Sequence, residues 1–348
     1  MKALVFHGPH QMTWEDWPDP EARLGEVVMA VHAVGICGSD LYGYTGASGK
    51  REPPLIMGHE ATGEVIAVGP GIPEAYLGKR FVIRPNVVCG TCEQCRSGNA
   101  NLCKNRYLIG VKAPGAMAER VSIPAENLLP LPEDMDSVTG TLVEPLAVGV
   151  RAARQVGDLS GKSVFIAGCG PIGLLTMIAA RRYGARVVYM SDVLPYRRRI
   201  AREMGANEVL DPKEDGWIEE IFQASGGEGF DTAFDAVGIQ ATFDQALQSI
   251  HVRGLVVAIG GWQSITLDLG QIVRRELRIV GSLNYTPEDF SLAYQLLVER
   301  AFDPDPIVTN QYPLQDGEEV FKNLAQKRDE SIKVVLTCSH PLLERSLR

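Results

Sequence analysis

The chain of 348 residues has no cluster of basic residues: 34 lysines and arginines are scattered among 43 aspartates and glutamates, which gives a net charge of −9. Without a basic face, the protein offers no surface that would attract a phosphate backbone or an anionic membrane. We therefore expect neither nucleic acid nor a membrane as partner. We also expect no secretion signal and a cytoplasmic protein, because residues 1–7 (MKALVFH) show neither the start of a long apolar core nor a cleavage signature.

A long apolar run is missing as well. The longest stretch without a charged residue, 163–180, approaches the roughly 20 residues of a membrane span, but Gly168, Gly170, Pro171 and Gly173 interrupt it. This pattern predicts a buried strand, a turn and a helix. The sequence also contains no internal repeat and no low-complexity segment.

Disulfide bonds are not expected, because the seven cysteines are odd in number and no secretion signal accompanies them. Four of them fall within fifteen residues, and this spacing lets four thiolates converge on one tetrahedral metal ion. The loop around them is mostly polar, so it buries too little apolar surface to hold its own shape. We predict a structural zinc site made of Cys89, Cys92, Cys95 and Cys103.

The length of the chain exceeds the roughly 250–300 residues at which single cores stop growing, so two domains are expected. Up to about residue 132, short β-rich runs are separated by Gly and Pro, a pattern typical of a barrel-like β domain. These runs are 26–34, 63–68, 80–83 and 118–123.

From about residue 151 to 282, apolar strands alternate with helical stretches, which predicts a parallel sheet with helices on both faces. The predicted strands are 163–167, 186–191, 230–235, 254–259 and 278–280. A helix over 289–300 and a strand over 332–336 follow, and we expect them to pack back on the first domain. Residues from about 340 are predicted to form an exposed tail.

A glycine-rich turn follows the strand predicted over 163–167 and precedes a helical stretch, the order that a dinucleotide phosphate site requires. Gly168 would permit the tight turn, Gly170 would let the backbone approach a pyrophosphate, and Gly173 would let helix and strand pack closely. The alternatives are an ordinary tight turn in an α/β sheet or the methyl-donor site of a methyltransferase. Asp192, at the end of the next strand, favours the dinucleotide because a carboxylate there binds a ribose.

Asp192 would repel a 2′-phosphate, so NAD is favoured over NADP. The arginines at 197–199 argue the other way, since an arginine near the ribose can hold that phosphate. We interpret Arg198 and Arg199 as part of a solvated helix face.

A second metal site is predicted from residues far apart in the sequence. A catalytic zinc takes about three protein ligands and keeps one open position, and thiolate, imidazole and carboxylate are all suitable. Cys37 follows an apolar strand, His59 follows a proline-rich segment, and Glu144 is isolated in an apolar run where an unpaired carboxylate would be costly. Taken singly, these three could be a small buried hydrophobe, a core histidine and a charge at a helix start. Together they favour a metal site.

In these residues the chain resembles the zinc-containing medium-chain alcohol dehydrogenases, in particular the polyol branch with the sorbitol, butanediol and threonine dehydrogenases. The resemblance spans essentially the whole chain, and the combination of its motifs is specific although each alone is not. Glutamate at 144, where many simple alcohol dehydrogenases have cysteine, points to the polyol branch. The motifs are 37–40 (CGSD), 58–60 (GHE), the four-cysteine loop, 144–145 (EP), 168–173 with Asp192, and 333–336 (KVVL).

The resemblance implies an α/β protein with a β-rich, barrel-like (GroES-like) catalytic domain, 1–150, completed by 286–348. A doubly wound Rossmann domain, 151–285, would be inserted between these parts. Cys37, His59 and Glu144 would ligate the catalytic zinc, with Glu60 as a direct or water-mediated partner that can exchange with Glu144. Two zinc ions per chain are thus expected. NAD would be surrounded by the glycine loop, Ile172, Asp192, Arg197, Ile259, Gly260, Gly261, Leu283 and Asn284, and Tyr285 would border the substrate.

The resemblance also places a proton relay at Ser39, with one departure from the family pattern. Relatives often have histidine five positions after the ligand cysteine, and here that position is Tyr42, which leaves the exit route for the proton open. An alternative for Ser39 is the N-cap of a helix.

These features together predict the reversible oxidation of a secondary alcohol, a polyol or vicinal diol, with zinc assisting removal of the proton and NAD accepting the hydride. Threonine oxidation by the same family is an alternative, as is a zinc-free quinone or enone reductase. A zinc-ribbon module that senses redox state and a purely structural protein are further alternatives. Family membership also implies a homo-oligomer, a dimer or a tetramer.

Overall fold

The structure is a computed structural model, and it describes residues 1–261, 263–326 and 330–338. The chain forms two compact units. Unit 1 contains residues 1–144, 297–299 and the described residues from 308 onward, and unit 2 contains residues 145–296 and 300–307. The described residues from 308 onward thus belong to the same unit as residues 1–144.

Unit 1 is rich in β-structure. Its main sheet has seven strands in the order β10-β6-β5-β3-β18-β17, with β9 paired to β3, and smaller sheets have the orders β2-β1-β4 and β7-β8. Its strands are β1 Lys2–Gly8, β2 Gln11–Asp16, β3 Glu26–Gly35, β4 Leu55–Ile56, β5 Glu60–Val68, β6 Arg80–Ile83, β7 Asn86–Val87, β8 Tyr107–Leu108, β9 Arg120–Pro124, β10 Leu128–Pro130, β17 Val308–Pro313 and β18 Lys333–Thr337. Its helices are α1 Gly38–Tyr44, α2 Glu93–Arg96, α3 Ser137–Gly140 and α11 Gly317–Ala325.

Strand β3 is the centre of unit 1. It pairs with β5, β9 and β18, and nine of its ten residues are buried, which explains its nearly continuous apolar sequence. Strand β18 pairs with the end of β3, with Val335 opposite Gly35. Strand β18, the last described strand, therefore lies inside the main sheet, between β3 and β17.

Unit 2 contains a six-stranded parallel sheet in the order β13-β12-β11-β14-β15-β16, which is the order of a doubly wound dinucleotide-binding fold. Its strands are β11 Ser163–Ala167, β12 Val187–Ser191, β13 Glu208–Leu210, β14 Phe230–Asp235, β15 Ile250–Ala258 and β16 Arg278–Gly281. Its helices are α4 Val143–Val156, α5 Pro171–Arg182, α6 Pro195–Glu203, α7 Trp217–Ala224, α8 Gln240–Ser249, α9 Leu269–Arg274 and α10 Pro287–Val298. The first two residues of α4 and the last two of α10 belong to unit 1.

The predicted strands of unit 2 are confirmed, with two differences. Strand β13 was not predicted, because three residues are too short to show a periodic pattern. Strand β15 begins at Ile250 rather than at residue 254, because the partly or fully exposed residues His251, Val252 and Arg253 separate the buried Ile250 from the continuous buried run that starts at Gly254.

The predicted return of the chain to the first domain at residue 286 is wrong, since most of α10 belongs to unit 2. The reason is the buried Asp289. Its carboxylate accepts a hydrogen bond from the Thr286 amide at 2.8 Å, and it forms ion pairs with Arg154 at 2.5 Å and with Arg151 at 3.7 Å. These arginines lie on α4 in the same unit, so they hold the start of α10 there.

Among the described residues, no helix has the length and apolar character needed to cross a membrane. The uncharged run 163–180 forms β11, a glycine turn and part of α5, as predicted. The tail predicted from about residue 340 lies outside the described residues.

Candidate metal centres and cofactor site

The first candidate site lies where two neighbouring strands of unit 1 meet. Cys37 follows β3 and is the N-cap of α1, while His59 directly precedes β5. In the antiparallel pair of β3 and β5, Gly35 at the end of β3 is opposite Glu60 at the start of β5. This pairing places the residues that follow β3 next to those that precede β5. As a result, one ligand atom each of Cys37, His59 and Glu60 lies within 4.8 Å of the others.

A buried carboxylate lies beside the imidazole of His59. Nδ1 of His59 lies 3.6 Å from Oδ1 of Asp40, and the same carboxylate pairs with Arg51 at 2.6 Å. Burial raises the pKa of Asp40, but His59 and Arg51 outweigh burial and hold the pKa at about 2. Asp40 is therefore a stable anion behind the histidine ring, an arrangement that often supports a metal-binding histidine.

The donor set fits a zinc ion. Thiolate, imidazole and carboxylate are all zinc ligands, and a site with three such groups leaves a further position open. Burial lowers the pKa of His59, but the Asp40 carboxylate and the Cys37 thiol raise it well above its usual value. The cluster therefore attracts positive charge, and a metal ion would supply that charge while leaving the imidazole neutral.

Glu144, the third ligand predicted from sequence, is buried near the start of α4. Its carboxylate is not among the donors that lie within 4.8 Å of one another. Its charge nevertheless acts on Lys333, a neighbour of Glu60, so Glu144 belongs to the electrostatic environment of the cluster. Direct coordination by Glu144 stays a prediction.

Sequence reasoning did not assign Lys333 any role, although the residue starts the predicted KVVL motif. Lys333 is 2% exposed, and its Nζ donates hydrogen bonds to both carboxylate oxygens of Glu60 at 2.8 and 2.6 Å. A third bond goes to the carbonyl of Ile36 at 3.2 Å. The only available signal was a charged residue at the start of an apolar strand.

The alternative prediction of Ser39 as a helix N-cap is wrong. Cys37 is the N-cap of α1, and Ser39 is the second residue of the helix. The cap is formed by Asp40, whose carboxylate accepts a hydrogen bond from the Cys37 amide at 3.0 Å. The Ser39 hydroxyl lies 3.4 Å from Arg51, and Tyr42 is half-buried on the same helix. The relay role of Ser39 and Tyr42 stays a prediction.

The second candidate metal site is the four-cysteine loop. The sulfurs of Cys89, Cys92, Cys95 and Cys103 all lie within 4.8 Å of one another, and all four residues are free thiols. Hydrogen bonds from the backbone at Thr91 and Cys92 lower the pKa of Cys89 to about 5. Converging thiols with one already poised to ionise are suited to a tetrahedral zinc ion.

The glycine-rich turn of unit 2 has the geometry expected of a phosphate-binding loop. Gly168 has a φ of +104°, which a side chain would strain, and it makes the tight turn after β11. A Cβ on Gly173 would overlap the carbonyl oxygen of Gly168, so this glycine allows the helix to pack on the turn. Gly170 is the N-cap of α5, and Ile172 lies in the first turn of this helix. The amides at this end of α5 are suited to an anion.

Asp192 lies at the end of β12 and is bonded to the same turn. Its carboxylate accepts hydrogen bonds from the amides of Cys169 and Leu194, both at 2.9 Å. Arg197 approaches it to 3.9 Å. The interpretation of Arg198 as a solvated residue is wrong, because it donates to the Asp192 carbonyl and pairs with Asp211 at 2.9 Å. Arg199 is exposed, as predicted.

The other predicted cofactor residues also follow the carboxyl ends of parallel strands, where such folds bind dinucleotides. Ile259, Gly260 and Gly261 follow β15, and Gly260 packs directly on the backbone at Gly238. Leu283 and Asn284 follow β16, and Asn284 has a left-handed φ of +45°.

Tyr285, the predicted substrate neighbour, is buried and packs on Phe290 with 5.5 Å between ring centroids. Its side chain is thus part of the core of unit 2. A substrate contact by Tyr285 stays a prediction.

Comparison with known proteins agrees with this arrangement. Residues 23–133 match the family model of the alcohol dehydrogenase GroES-like domain, and residues 171–299 match that of the zinc-binding dehydrogenase. The chain is 32% identical to a sorbitol dehydrogenase of Bacillus subtilis, with 97% of each chain covered. It is 33% identical to an L-threonine 3-dehydrogenase of Idiomarina loihiensis, with 97% of this chain and 99% of the relative covered.

A solved structure has a similar fold over nearly the whole chain. A zinc-binding dehydrogenase of Sinorhizobium meliloti bound to NADP superposes with a TM-score of 0.90 at 30% identity, covering 97% of this chain and 98% of the other. The chain belongs to the zinc-containing medium-chain alcohol dehydrogenases, in the polyol branch. It is an oxidoreductase that oxidises alcohols with zinc and a nicotinamide cofactor.

Proposed function

We propose that the protein oxidises a secondary hydroxyl of a polyol or vicinal diol to a ketone, reversibly and with NAD as the hydride acceptor. The observation that carries the proposal is the cluster of Cys37 with the buried His59 and Glu60, with Asp40 beside the histidine. A zinc-free quinone or enone reductase would have no use for this cluster.

In this proposal Cys37 and His59 hold the catalytic zinc, with Glu144 as a further ligand and Glu60 as a direct or water-mediated partner that can exchange with Glu144. When bound, zinc polarises the substrate hydroxyl and lowers its pKa, as it does for water. Asp40 keeps the His59 ring in place, and Arg51 keeps Asp40 charged. Ser39 takes the proton released from the hydroxyl and passes it outward, with Tyr42 in the position that holds histidine in many relatives.

The pairing of the nearby cations with carboxylates of the protein favours a polyol over threonine as substrate. Arg51 and Lys333 are the buried cations of this cluster, and each is already paired with a carboxylate of the protein, Asp40 and Glu60 respectively. Neither is therefore available to bind the carboxylate of an amino acid. Threonine remains a member of the test panel because a threonine dehydrogenase is among the relatives.

We propose NAD rather than NADP because Asp192 carries its charge at the end of β12, where the ribose is bound in this fold. A 2′-phosphate beside this carboxylate would be repelled. Arg197, at 3.9 Å from Asp192, is the group that could oppose this preference. The relative solved with NADP makes a direct comparison of the two cofactors necessary.

We also propose a second zinc in the four-cysteine loop, a cytoplasmic location and self-association as a dimer or tetramer. Self-association is supported by β16, which lies at one edge of the sheet in unit 2 and is accompanied by the exposed apolar residues Leu269 and Val273. Exposed edges with apolar neighbours are usually covered. Sedimentation velocity, with a Val273→Asp variant for comparison, would measure the oligomer; a concentration-independent monomer would exclude it.

The function is tested by the initial rate of NADH formation across sugar alcohols, vicinal diols, L-threonine and primary alcohols, with and without a zinc chelator. We expect a chelator-sensitive rate that is highest for one polyol or diol and lower with NADP. A rate that is highest for L-threonine, or that is insensitive to the loss of the metal, would contradict the proposal.

A further inference from the structure

Asp235, the last residue of β14, carries a buried carboxylate in unit 2, and the mechanism described above does not use it. The residue is 1% exposed, and its side chain is bonded by backbone amides rather than by a cation. Burial raises the pKa of Asp235, and the amides of Val237 and Gly238 offset that increase only in part. Because burying a carboxylate costs free energy, we looked for its role in the turn that follows β14.

The carboxylate of Asp235 shapes the turn over residues 236–238. Its Oδ1 accepts hydrogen bonds from the amide of Val237 at 3.1 Å and from the amide of Gly238 at 2.9 Å. Gly238 has a left-handed φ of +83°, which allows the chain to bend there before α8 begins at Gln240. One oxygen atom thus fixes two successive amides of the bend.

The turn is packed between two loops that are predicted to surround the cofactor. On one side, a Cβ on Gly168 would lie only 2.5 Å from Cγ2 of Val237. On the other side, a Cβ on Gly260 would lie only 2.4 Å from the backbone nitrogen of Gly238. The turn therefore touches the glycine-rich turn after β11 and the loop after β15 in space that side chains would fill.

Backbone hydrogen bonds connect the same residues to both neighbouring strands. The amide of Ala236 donates to the carbonyl of Ala167 at the end of β11, at 3.0 Å. The carbonyl of Asp235 accepts from the amides of Ile259 and Gly260, at 3.0 and 3.2 Å. Strands β11 and β14 are adjacent at the point where the strand order of the sheet reverses, and dinucleotides bind across this point, one mononucleotide half on each side.

We propose that Asp235 is a positioning residue that keeps the two halves of the dinucleotide site in register, by holding the turn over 236–238 between them. The inference rests on the proposed function, because it assumes that the cofactor lies along the carboxyl ends of these strands. Without the carboxylate, each half would still be present. A ligand that spans both halves, however, would bind only to the fraction of molecules in which the turn is in place.

The experiment compares two ligands on the zinc-loaded full chain. NADH spans both halves of the site, whereas ADP lacks the nicotinamide half and uses the side with Gly168 and Asp192. The binding of NADH is measured by fluorescence and that of ADP by calorimetry. The unfolding midpoint of every variant is measured without ligand.

The variants differ in whether they keep an acceptor for the turn. Asp235→Ala removes the acceptor, and Asp235→Asn keeps an acceptor oxygen but loses the charge. Asp231→Ala is the matched control, because Asp231 lies on the same strand but near its other end. Its carboxylate accepts hydrogen bonds from the amide and the hydroxyl of Ser163 on β11, at 2.8 and 2.7 Å. The control therefore also removes a bonded carboxylate between β14 and β11, away from the edge where the cofactor binds.

We expect Asp235→Ala to bind NADH about 10-fold more weakly, which corresponds to a turn in place in about one molecule in ten. Its affinity for ADP should match that of the wild type. The turnover number should fall by up to about 100-fold, because a misplacement of about 1 Å between reacting groups can cost that much. Asp235→Asn should recover most of the NADH affinity, and Asp231→Ala should bind both ligands like the wild type, even with a lower unfolding midpoint.

An unchanged affinity for NADH in folded Asp235→Ala would overturn the proposal, as would an equal loss for NADH and ADP. The same selective loss in Asp231→Ala would also overturn it. If Asp235→Ala does not fold, Val237→Ala removes the contact with Gly168 and keeps the carboxylate. It should also weaken NADH more than ADP, and an unchanged ratio would reject the proposal. If Asp192→Gly leaves the binding of both ligands unchanged, the cofactor site of the proposed function is rejected, and the role of Asp235 with it.

Discussion

The two candidate metal sites of this protein are built in opposite ways. The four cysteines of the loop come from fifteen consecutive residues and are free thiols, and backbone amides of the same loop bond the sulfur of Cys89. The cluster at Cys37 draws on residues from four separate segments, from Cys37 to Lys333, and is enclosed by paired buried charges. A local cross-link needs only ligand spacing, whereas an open catalytic site needs a sheet to align its ligands and counter-charges to keep them in place.

The comparison predicts that the ligands of the buried cluster control turnover. Cys37→Ser should lower the turnover number by more than about 100-fold, beyond the range for supporting groups, because it removes a thiolate ligand. NAD binding should persist, since the glycine loop and Asp192 lie in unit 2. The measurements are steady-state kinetics and a fluorescence titration with NADH.

Cys338→Ser is the matched control, because Cys338 follows β18 and its sulfur lies 3.8 Å from the Ala118 carbonyl. It should be as active as the wild type. Full activity in Cys37→Ser would refute the assignment of the catalytic metal.

The next effect concerns the charges that enclose the cluster. Arg51→Met leaves the buried Asp40 without its closest cation, so the carboxylate should no longer hold His59 in one orientation. We expect catalytic efficiency and zinc retention to fall by about 10- to 100-fold. Zinc retention is measured by the rate of loss to a chelator.

Arg80→Met is the control for the loss of an arginine in unit 1, because the Arg80 guanidinium donates hydrogen bonds to the backbone carbonyls of Pro132 and Glu133. If both variants lose zinc equally fast, the effect of Arg51 is one of general stability and the buried charges have no special role.

Much of this architecture can be predicted from sequence, and the exceptions have a common cause. The glycine turn, Asp192 and the four cysteines have short fixed spacings, so their geometry is set by local backbone conformation. Lys333 and Arg51 could not be assigned, because the residues that they pair with are brought close only by the sheet and by the loop before β5. The predicted domain boundary at residue 286 is wrong for the same reason, because Asp289 pairs with Arg154, which is far away in the chain.

A moderate effect on cofactor binding is expected at the cofactor site, whose residues, like those of the cysteine loop, lie close together in the sequence. Asp192→Gly should raise the Michaelis constant for NAD by about 10- to 100-fold, since each lost charge-assisted hydrogen bond is worth about 1.5–3 kcal/mol. The same substitution should also reduce the preference of the enzyme for NAD over NADP.

Asp192→Asn separates the two roles of the residue. The amide oxygen can still accept a bond from the loop, so NAD binding should suffer less while the repulsion of a 2′-phosphate disappears. Cofactor kinetics that are identical in all three proteins would exclude Asp192 from the ribose site.

The smallest effect on turnover is expected from the cysteine loop itself. Cys92→Ser should lose one of two zinc ions by metal analysis and lower the unfolding midpoint by more than about 5 °C, with the turnover number of the folded protein nearly unchanged. Calorimetry and kinetics on the same sample test this contrast. Unchanged metal content would disprove the structural site, and a turnover loss as large as that of Cys37→Ser would remove the distinction between the two clusters.

The two kinds of unit, the glycine turn with Asp192 and the four-cysteine loop can be predicted from the sequence, because each depends on spacing along a few tens of residues at most. In contrast, the contacts of His59 with Asp40, of Asp40 with Arg51 and of Glu60 with Lys333 arise from the fold. A buried charge must find its partner in space, and the two residues of such a pair can lie anywhere in the chain. The partner of Glu60 is 273 residues away in the chain, and only the pairing of β18 with β3 brings the two together.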